Sequence, residues 1–358
     1  MSRNTTPCLV TLSQSSSQSS KIELNVKLVL DKKNTRKQQK LKTLTNYVQQ
    51  YPSGWKKRLE LADLLYETGN WEQAVKEYDQ VIQRQPQLIQ VRLKLGKLLQ
   101  LMGEVAKAIE VYHSALPLSS NVATGHHIRG LIEVCRRQPD KAVKAFETAA
   151  SSEPENPSHW LALGQVEMKL DHPHAALNAF DKILLLQADD IVALIHSYDA
   201  LLVVGDFQSA ELKLSRAEEL APGDYSVLKR RLAYRCQMKL VLGKEGKQTK
   251  KIVNAVLKLA PHSADAHKLQ ADYYRLRGES AKSLAILKQF TEEYPNNPNG
   301  WCYYARFLSD RGENKRAVEA IEKADHLYPN NWLVYGALCN ILNKSPLMPL
   351  LAGEGEIT

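Results

Sequence analysis

WKKRLELADLLYETGNWEQAVKEYDQVIQRQPQL, residues 55 to 88, has two apolar faces at helical spacing on either side of a glycine turn. The first half places Leu61, Ala62 and Leu65 on one face, and the second places Ala74, Tyr78, Val81 and Ile82. Thr68-Gly69-Asn70 separates them. Pro86 stops the second helix, since proline lacks an N–H and clashes with the preceding turn. The stretch is predicted to be a helix-turn-helix hairpin.

The hairpin recurs. Ala74, Ala108, Ala142, Ala176 and Ala210 are each 34 residues apart, and after one step of 39 the column continues through Thr249, Ser283 and Ala317. Ala62, Gly96, Gly130, Gly164, Tyr198, Leu232, Ala271 and Ala305 form a second column. Pro52, Pro86, Pro154, Pro222, Pro261, Pro295 and Pro329 form a third, and Gly69, Gly103, Gly205, Gly278 and Gly312 mark the turns. The small residues are expected where the two helices of a repeat cross, because only a short side chain lets the backbones approach. Tyr78, Tyr112, Phe146, Phe180, Leu214, Val253, Leu287 and Ile321 are expected to fill the space towards the next repeat.

Small residue, turn glycine, alanine, aromatic and proline at this period resemble the tetratricopeptide repeat. Trp160, Leu163, Gly164, Ala176 and Phe180 fit closely, as do Trp301, Ala305, Gly312, Ala317, Ala324 and Pro329. The resemblance covers roughly residues 34 to 343. It implies an all-α, right-handed α-solenoid of about eight helix-turn-helix repeats with cap helices at both ends, in which each hairpin contacts only its neighbours.

The expected organisation is as follows. Residues 1–33 are Ser-rich and too polar to fold alone, apart from the strand-like alternation of KIELNVKLVL at 21–30. Residues 34–54 form an N-terminal cap helix, 55–331 the solenoid, and 332–358 a C-terminal cap helix with a short tail. The sixth repeat, 225–263, is five residues longer than the rest, and the excess is expected at its turn, near 241–248. Pro117 is expected to shorten the second helix of repeat 2. Arg137-Gln138-Pro139 and Asp171-His172-Pro173 replace the turn glycine in repeats 3 and 4.

No apolar run reaches the roughly 18 residues of a membrane helix. Cys8-Leu9-Val10 is too short for a secretory signal, so a cytoplasmic protein without membrane insertion is expected. The five cysteines are widely spaced and form no CxxC pair, which argues against a disulfide framework or a zinc site. His126-His127 and His172-Pro173-His174 lack further ligands, whereas a closed metal site needs about four. No nucleophile, phosphate-loop or zinc-protease motif occurs. No enzyme activity, cofactor or metal is expected.

Charge is the distinctive feature. The chain carries +9 in total; residues 1–54 hold +7, residues 225–263 hold +9, and the rest holds −7. The resemblance implies a partner peptide held along a concave face lined by the first helices of successive repeats. In this register that face includes Lys229 and Arg230 in repeat 6, Lys268, Asp272 and Arg275 in repeat 7, and Arg306 in repeat 8. Such a set suits an acidic peptide or a chain terminus through charge-assisted hydrogen bonds. Leu161, Met168, Val192, Ile195 and Leu202 are expected to form an apolar stretch of the same groove. The family's basic clamp for chaperone carboxylates needs Lys and Asn where this chain has Leu59 and Asp63, so that role is not carried over. The expected function is a non-catalytic scaffold for a protein or peptide partner. Two alternatives stand beside it: a regulatory or substrate-binding region attached to an enzyme such as a glycosyltransferase, and a nucleic-acid binder using its basic patches.

Overall fold

A segment with apolar residues on a single helical stripe has to cover that stripe, and a second helix turned back against it does so. The structure, a computed structural model, describes residues 36–68 and 70–327 and the positions 334, 336 and 338. The strand-like stretch at 21–30 and most of the expected C-terminal cap lie outside the described residues.

The chain divides into two bodies, Met1–Gly223 and Asp224–Thr358. In the N-terminal body, α1 (36–50) precedes five hairpins. These are α2 (Trp55–Glu67) with α3 (Trp71–Arg84), α4 (Ile89–Leu101) with α5 (Val105–Ala115), and α6 (Val122–Cys135) with α7 (Pro139–Ser152). They continue with α8 (Pro157–Lys169) and α9 (Pro173–Leu186), then α10 (Ile191–Val204) and α11 (Phe207–Leu220). A 3-10 turn, Leu116–Leu118, follows α5, so Pro117 does end that helix early. The C-terminal body has α12 (Tyr225–Gln237) with α13 (Gly243–Leu259), α14 (Ala264–Leu276) with α15 (Ser280–Glu293), and α16 (Pro298–Asp310) with α17 (Asn314–Leu327). Within each body, helices pack against their hairpin partner and their neighbours in sequence. The fold is an all-α repeat solenoid, and no strand occurs among the described residues. No described helix is long and apolar enough to cross a membrane.

The alanine column is fully buried at Ala74, Ala108, Ala142, Ala176, Ala210 and Ala317. Where it carries a hydroxyl, that group finds an acceptor on the facing helix or turn: Ser283 donates to the Ala271 carbonyl at 2.8 Å, and Thr249 to the Leu240 carbonyl. The aromatic column differs from expectation. Tyr112, Phe146 and Phe180 lie on Gly96, Gly130 and Gly164 of their own repeats, so closely that a Cβ at any of these glycines would overlap the ring. The ring edge then reaches onward, as where Phe180 stacks on His196 of α10 at 5.4 Å. The small residue is the seat of the ring, and the two columns form one device.

Among the described residues, the turns of repeats 2 to 8 take the left-handed conformation with or without glycine. Gly205 has φ +87° and Gly278 +82°, while Arg137, Asp171 and Lys239 occupy the same region at 57°, 60° and 53°. Side chains with a Cβ are strained there by roughly 1–2 kcal/mol, which the packed helices on either side sustain. The extra residues of repeat 6 also depart from expectation. The turn after α12 runs over 238–242 and α13 has 17 residues, against 14 for most of the other second helices, so the excess is shared between turn and helix.

The proline column has a second role. At four of its positions the carbonyl accepts from a long side chain six residues on, at the start of the next first helix. Trp160 Nε1 donates to the Pro154 carbonyl at 2.8 Å and Trp301 Nε1 to that of Pro295 at 2.7 Å, while Arg58 and Arg92 do the same to Pro52 and Pro86. These bonds tie the segment that ends one hairpin, or α1 in the case of Pro52, to the first helix of the next. Side-chain caps at Asn121, Asn156, Asp190, Asp224, Ser263 and Asn297 start the first helices by satisfying free N–H groups.

Candidate functional site

First helices α12, α14 and α16 are neighbours in the C-terminal body. Asp265 on α14 joins all three: Lys229 of α12 donates to Oδ2 at 2.9 Å and the Tyr303 hydroxyl of α16 to Oδ1 at 2.7 Å. Burial pushes the Asp265 carboxyl up, but the Lys229 charge and these hydrogen bonds outweigh it and hold the group below the ordinary carboxylate range. Burial, with Asp265 alongside, pushes the Tyr303 phenol well above its usual value.

A second group lies further along α14. Asp272, only 8% exposed, is flanked by Lys268 at 2.7 Å and Arg275 at 3.0 Å. The Arg275 guanidinium sits 5.6 Å from the ring centroid of Phe307 on α16, within cation–π range. Arg306, next to Phe307, is exposed. Beneath them the Cys236 thiol is buried and pushed up to about 12, by burial first and Asp272 second.

The predicted basic residues therefore do come together on one set of helices, but largely in self-neutralising pairs. Lys229 and Lys268 each hold a carboxylate, and Arg230 is half-buried. Arg235, counted in the +9 of repeat 6, turns inward to Thr249 and the Glu245 carboxylate. Arg275 and Arg306 are the members of the set with exposed side chains.

The apolar half of the predicted groove belongs mostly to the core. Leu161 and Met168 of α8 pack against a cluster of Ala176, Phe180, Ile183, Ala193 and Ala200, and Ile195 is 7% exposed. Leu202 is half-buried, leaving Val192 as the exposed member. The reason lies in the stacking: α8 is covered by both α9 and α10, so positions that look free in one hairpin are consumed by the next.

Polar pairs that sequence reasoning missed bridge successive first helices of the N-terminal body. Lys94 binds Asp63 at 2.8 Å, Gln100 donates to Cys135 Sγ, and Gln165 meets His196 at 3.1 Å. Their separations of about one repeat were a usable signal. Among them is a buried histidine pair. His127 of α6 and His159 of α8 approach Nδ1 to Nδ1 at 3.0 Å, and His159 Nε2 lies 3.1 Å from Glu153 Oε2. Asn121 donates to the other Glu153 oxygen. With both rings neutral, His159 donates from Nε2 to Glu153 and accepts at Nδ1 from His127. Burial first, then the neighbouring His159, depresses the His127 pKa to about 4. The hydrogen bonds from His159 and Asn156 lower that of Glu153. Among the described residues no group of three or more His, Cys, Asp or Glu could hold a metal ion.

Comparisons with known proteins bear on the repeat architecture. Two tetratricopeptide-repeat families match residues 129–191 and 269–297, and the TT21 fifth ARM repeats domain matches 56–157. The chain is 26% identical over 223 residues to interferon-induced protein with tetratricopeptide repeats 2 from Homo sapiens. That match covers 57% of this chain and 40% of the relative's length. A chain of the APC/C hetero-tetramer Cut9–Hcn1 superposes with a TM-score of 0.60 at 14% identity, covering 83% of this chain and 58% of the other. This second likeness concerns the fold.

Proposed function

We infer that this chain, a tetratricopeptide-repeat protein, is a non-catalytic scaffold whose partner docks on the first-helix face of the C-terminal body. Repeat solenoids of this kind generally serve as protein–protein interaction scaffolds. The observation that carries the choice of face is the Arg275 guanidinium lying over Phe307 beside the exposed Arg306. Stacking restrains the arginine fork, so less conformational freedom is lost when it takes a carboxylate in bidentate geometry. The bridge Lys229–Asp265–Tyr303 ties α12, α14 and α16 together beside the fork, and Arg275 Nη2 also donates to Asp272 at 3.0 Å, which leaves part of the fork to the partner. The partner on this reading is a short acidic segment, and its affinity rests on two arginines rather than on a uniformly basic groove. A cytoplasmic setting belongs to the same proposal, supported by Cys135, Cys236 and Cys302 being buried as free thiols.

The test is anisotropy titration of a fluorescein-labelled, Glu-rich peptide with a free C-terminus against the full chain and the double variant Arg275→Ser/Arg306→Ser. The variant is expected to bind at least tenfold more weakly with its circular dichroism unchanged, as loss of charge-assisted bonds of about 1.5–3 kcal/mol requires. Equal binding by both proteins would move the partner to another face.

A further inference from the structure

Helix α13 has a second surface that the scaffold reading leaves unused. Ten residues of repeat 6 are basic, and those not drawn inward fall largely on α13. Lys244, Lys247, Lys250, Lys251, Asn254 and Lys258 are all exposed. At 100° per residue they fall within roughly a third of the helix circumference and extend about 21 Å along it. Gly246, Thr249, Val253 and Val256 form the buried face. The one acid of the helix, Glu245, lies off the lysine face and is bound by Arg235.

The face is held in place by its own turn. Arg277 donates to the Val241 carbonyl and the Tyr273 hydroxyl to that of Gly246, tying the start of α13 to α14. At Gly246 a Cβ would strike the Val241 carbonyl, so the turn closes directly on the helix. The extra length of repeat 6 thus places Lys244 and Lys247 on a fixed helical turn rather than a loose loop. Among the described residues, Lys244, Lys247 and Lys250 have no carboxylate within ion-pair distance, whereas Lys251 and Lys258 already make interactions.

We propose that this face of α13 binds the phosphate backbone of nucleic acid, through Lys244, Lys247 and Lys250. Charge complementarity identifies the occupant. Protein interfaces are built on aromatic and apolar anchors and are poor in lysine. This stripe has lysines one turn apart and no exposed aromatic residue, so it provides ammonium groups for a repeating anion and nothing for an apolar anchor. With no aromatic residue to stack on a base and with three lysines set for phosphates, the contacts are mainly to the backbone, and binding depends steeply on salt.

The test uses the full chain with a labelled 20-nucleotide RNA, a labelled 20-base-pair DNA duplex and a labelled poly-glutamate peptide, each titrated between 50 and 200 mM salt. The wild type is expected to bind nucleic acid with a slope of log K against log salt of about −2 to −3, from three phosphate contacts. Lys244→Gln/Lys247→Gln/Lys250→Gln is expected to weaken nucleic-acid binding at least tenfold at 50 mM and flatten the slope, with helicity unchanged. Arg275→Ser/Arg306→Ser should leave nucleic-acid binding intact, which separates failure here from failure of the scaffold reading. Unchanged binding by the triple variant overturns the proposal. So does a wild-type slope near zero, or loss of poly-glutamate rather than nucleic-acid binding.

Discussion

At the scale of single residues, the repeat is defined by how close two backbones may come. Gly164 shows this most sharply, because Phe180 occupies the space where its Cβ would go and is itself fully buried. Gly164→Ala is expected to lower stability by about 1–3 kcal/mol, as overpacking a tight core does. Urea denaturation checks this, and an unchanged midpoint would show that the ring can move aside. Such positions are legible from sequence because a missing side chain leaves a visible column. The left-handed turns at Arg137, Asp171 and Lys239 are harder to see. Register sets each of them one 34-residue step from a turn glycine, but the side chains of Arg137 and Lys239 give no sign of the conformation. The same holds for the indole of Trp160: its place in the family pattern is plain, but its bond to the Pro154 carbonyl emerges only when one hairpin is set beside the previous one.

At the scale of elements, the regular hairpins could be drawn from the sequence, whereas the turn of repeat 6 and the surfaces between hairpins could not. The predicted site shows why. Lys229 is a free cation when read within its own hairpin, yet its counterion is Asp265, 36 residues away on α14. Leu161 and Met168 look like groove residues until α10 is laid against α8. Arg275 and Arg306 remain available because neither the next helix nor a carboxylate takes up their whole side chains. The joint between α6 and α8 carries its own pH dependence. In the folded chain the His127 pKa is lowered to about 4, while an exposed histidine titrates near 6.5. The unfolded chain therefore takes up the proton first as pH falls. The stabilisation is complete above about pH 6.5 and is lost progressively down to about pH 4, by an amount on the order of 3 kcal/mol. His127→Gln removes that titration. Its urea midpoint should fall less than the wild-type midpoint between pH 7 and 4, and parallel declines would place the acid sensitivity in other groups.

At the scale of the whole molecule, a solenoid has no single core, and its stability approximates a sum over hairpins and their interfaces. The division at Gly223 coincides with a repeat boundary, immediately after Pro222 of the proline column and before Asp224 caps α12. Upstream, α1 covers one end of the N-terminal body, with Leu44 and Val48 buried in a cluster that runs through α2 to α6. Among the described residues that body has five hairpins and a further helix, above the minimum of about three repeats that stacked architectures need. A fragment comprising residues 1–223 is expected to fold alone, with a helical circular dichroism spectrum and a cooperative thermal transition. It should also keep the pH dependence assigned to His127, since all members of that cluster lie within it. It should lack both proposed binding activities, whose residues all follow Asp224. A broad, non-cooperative melt would show that the hairpins of the N-terminal body depend on those that follow, and that the boundary read from packing is not one of stability.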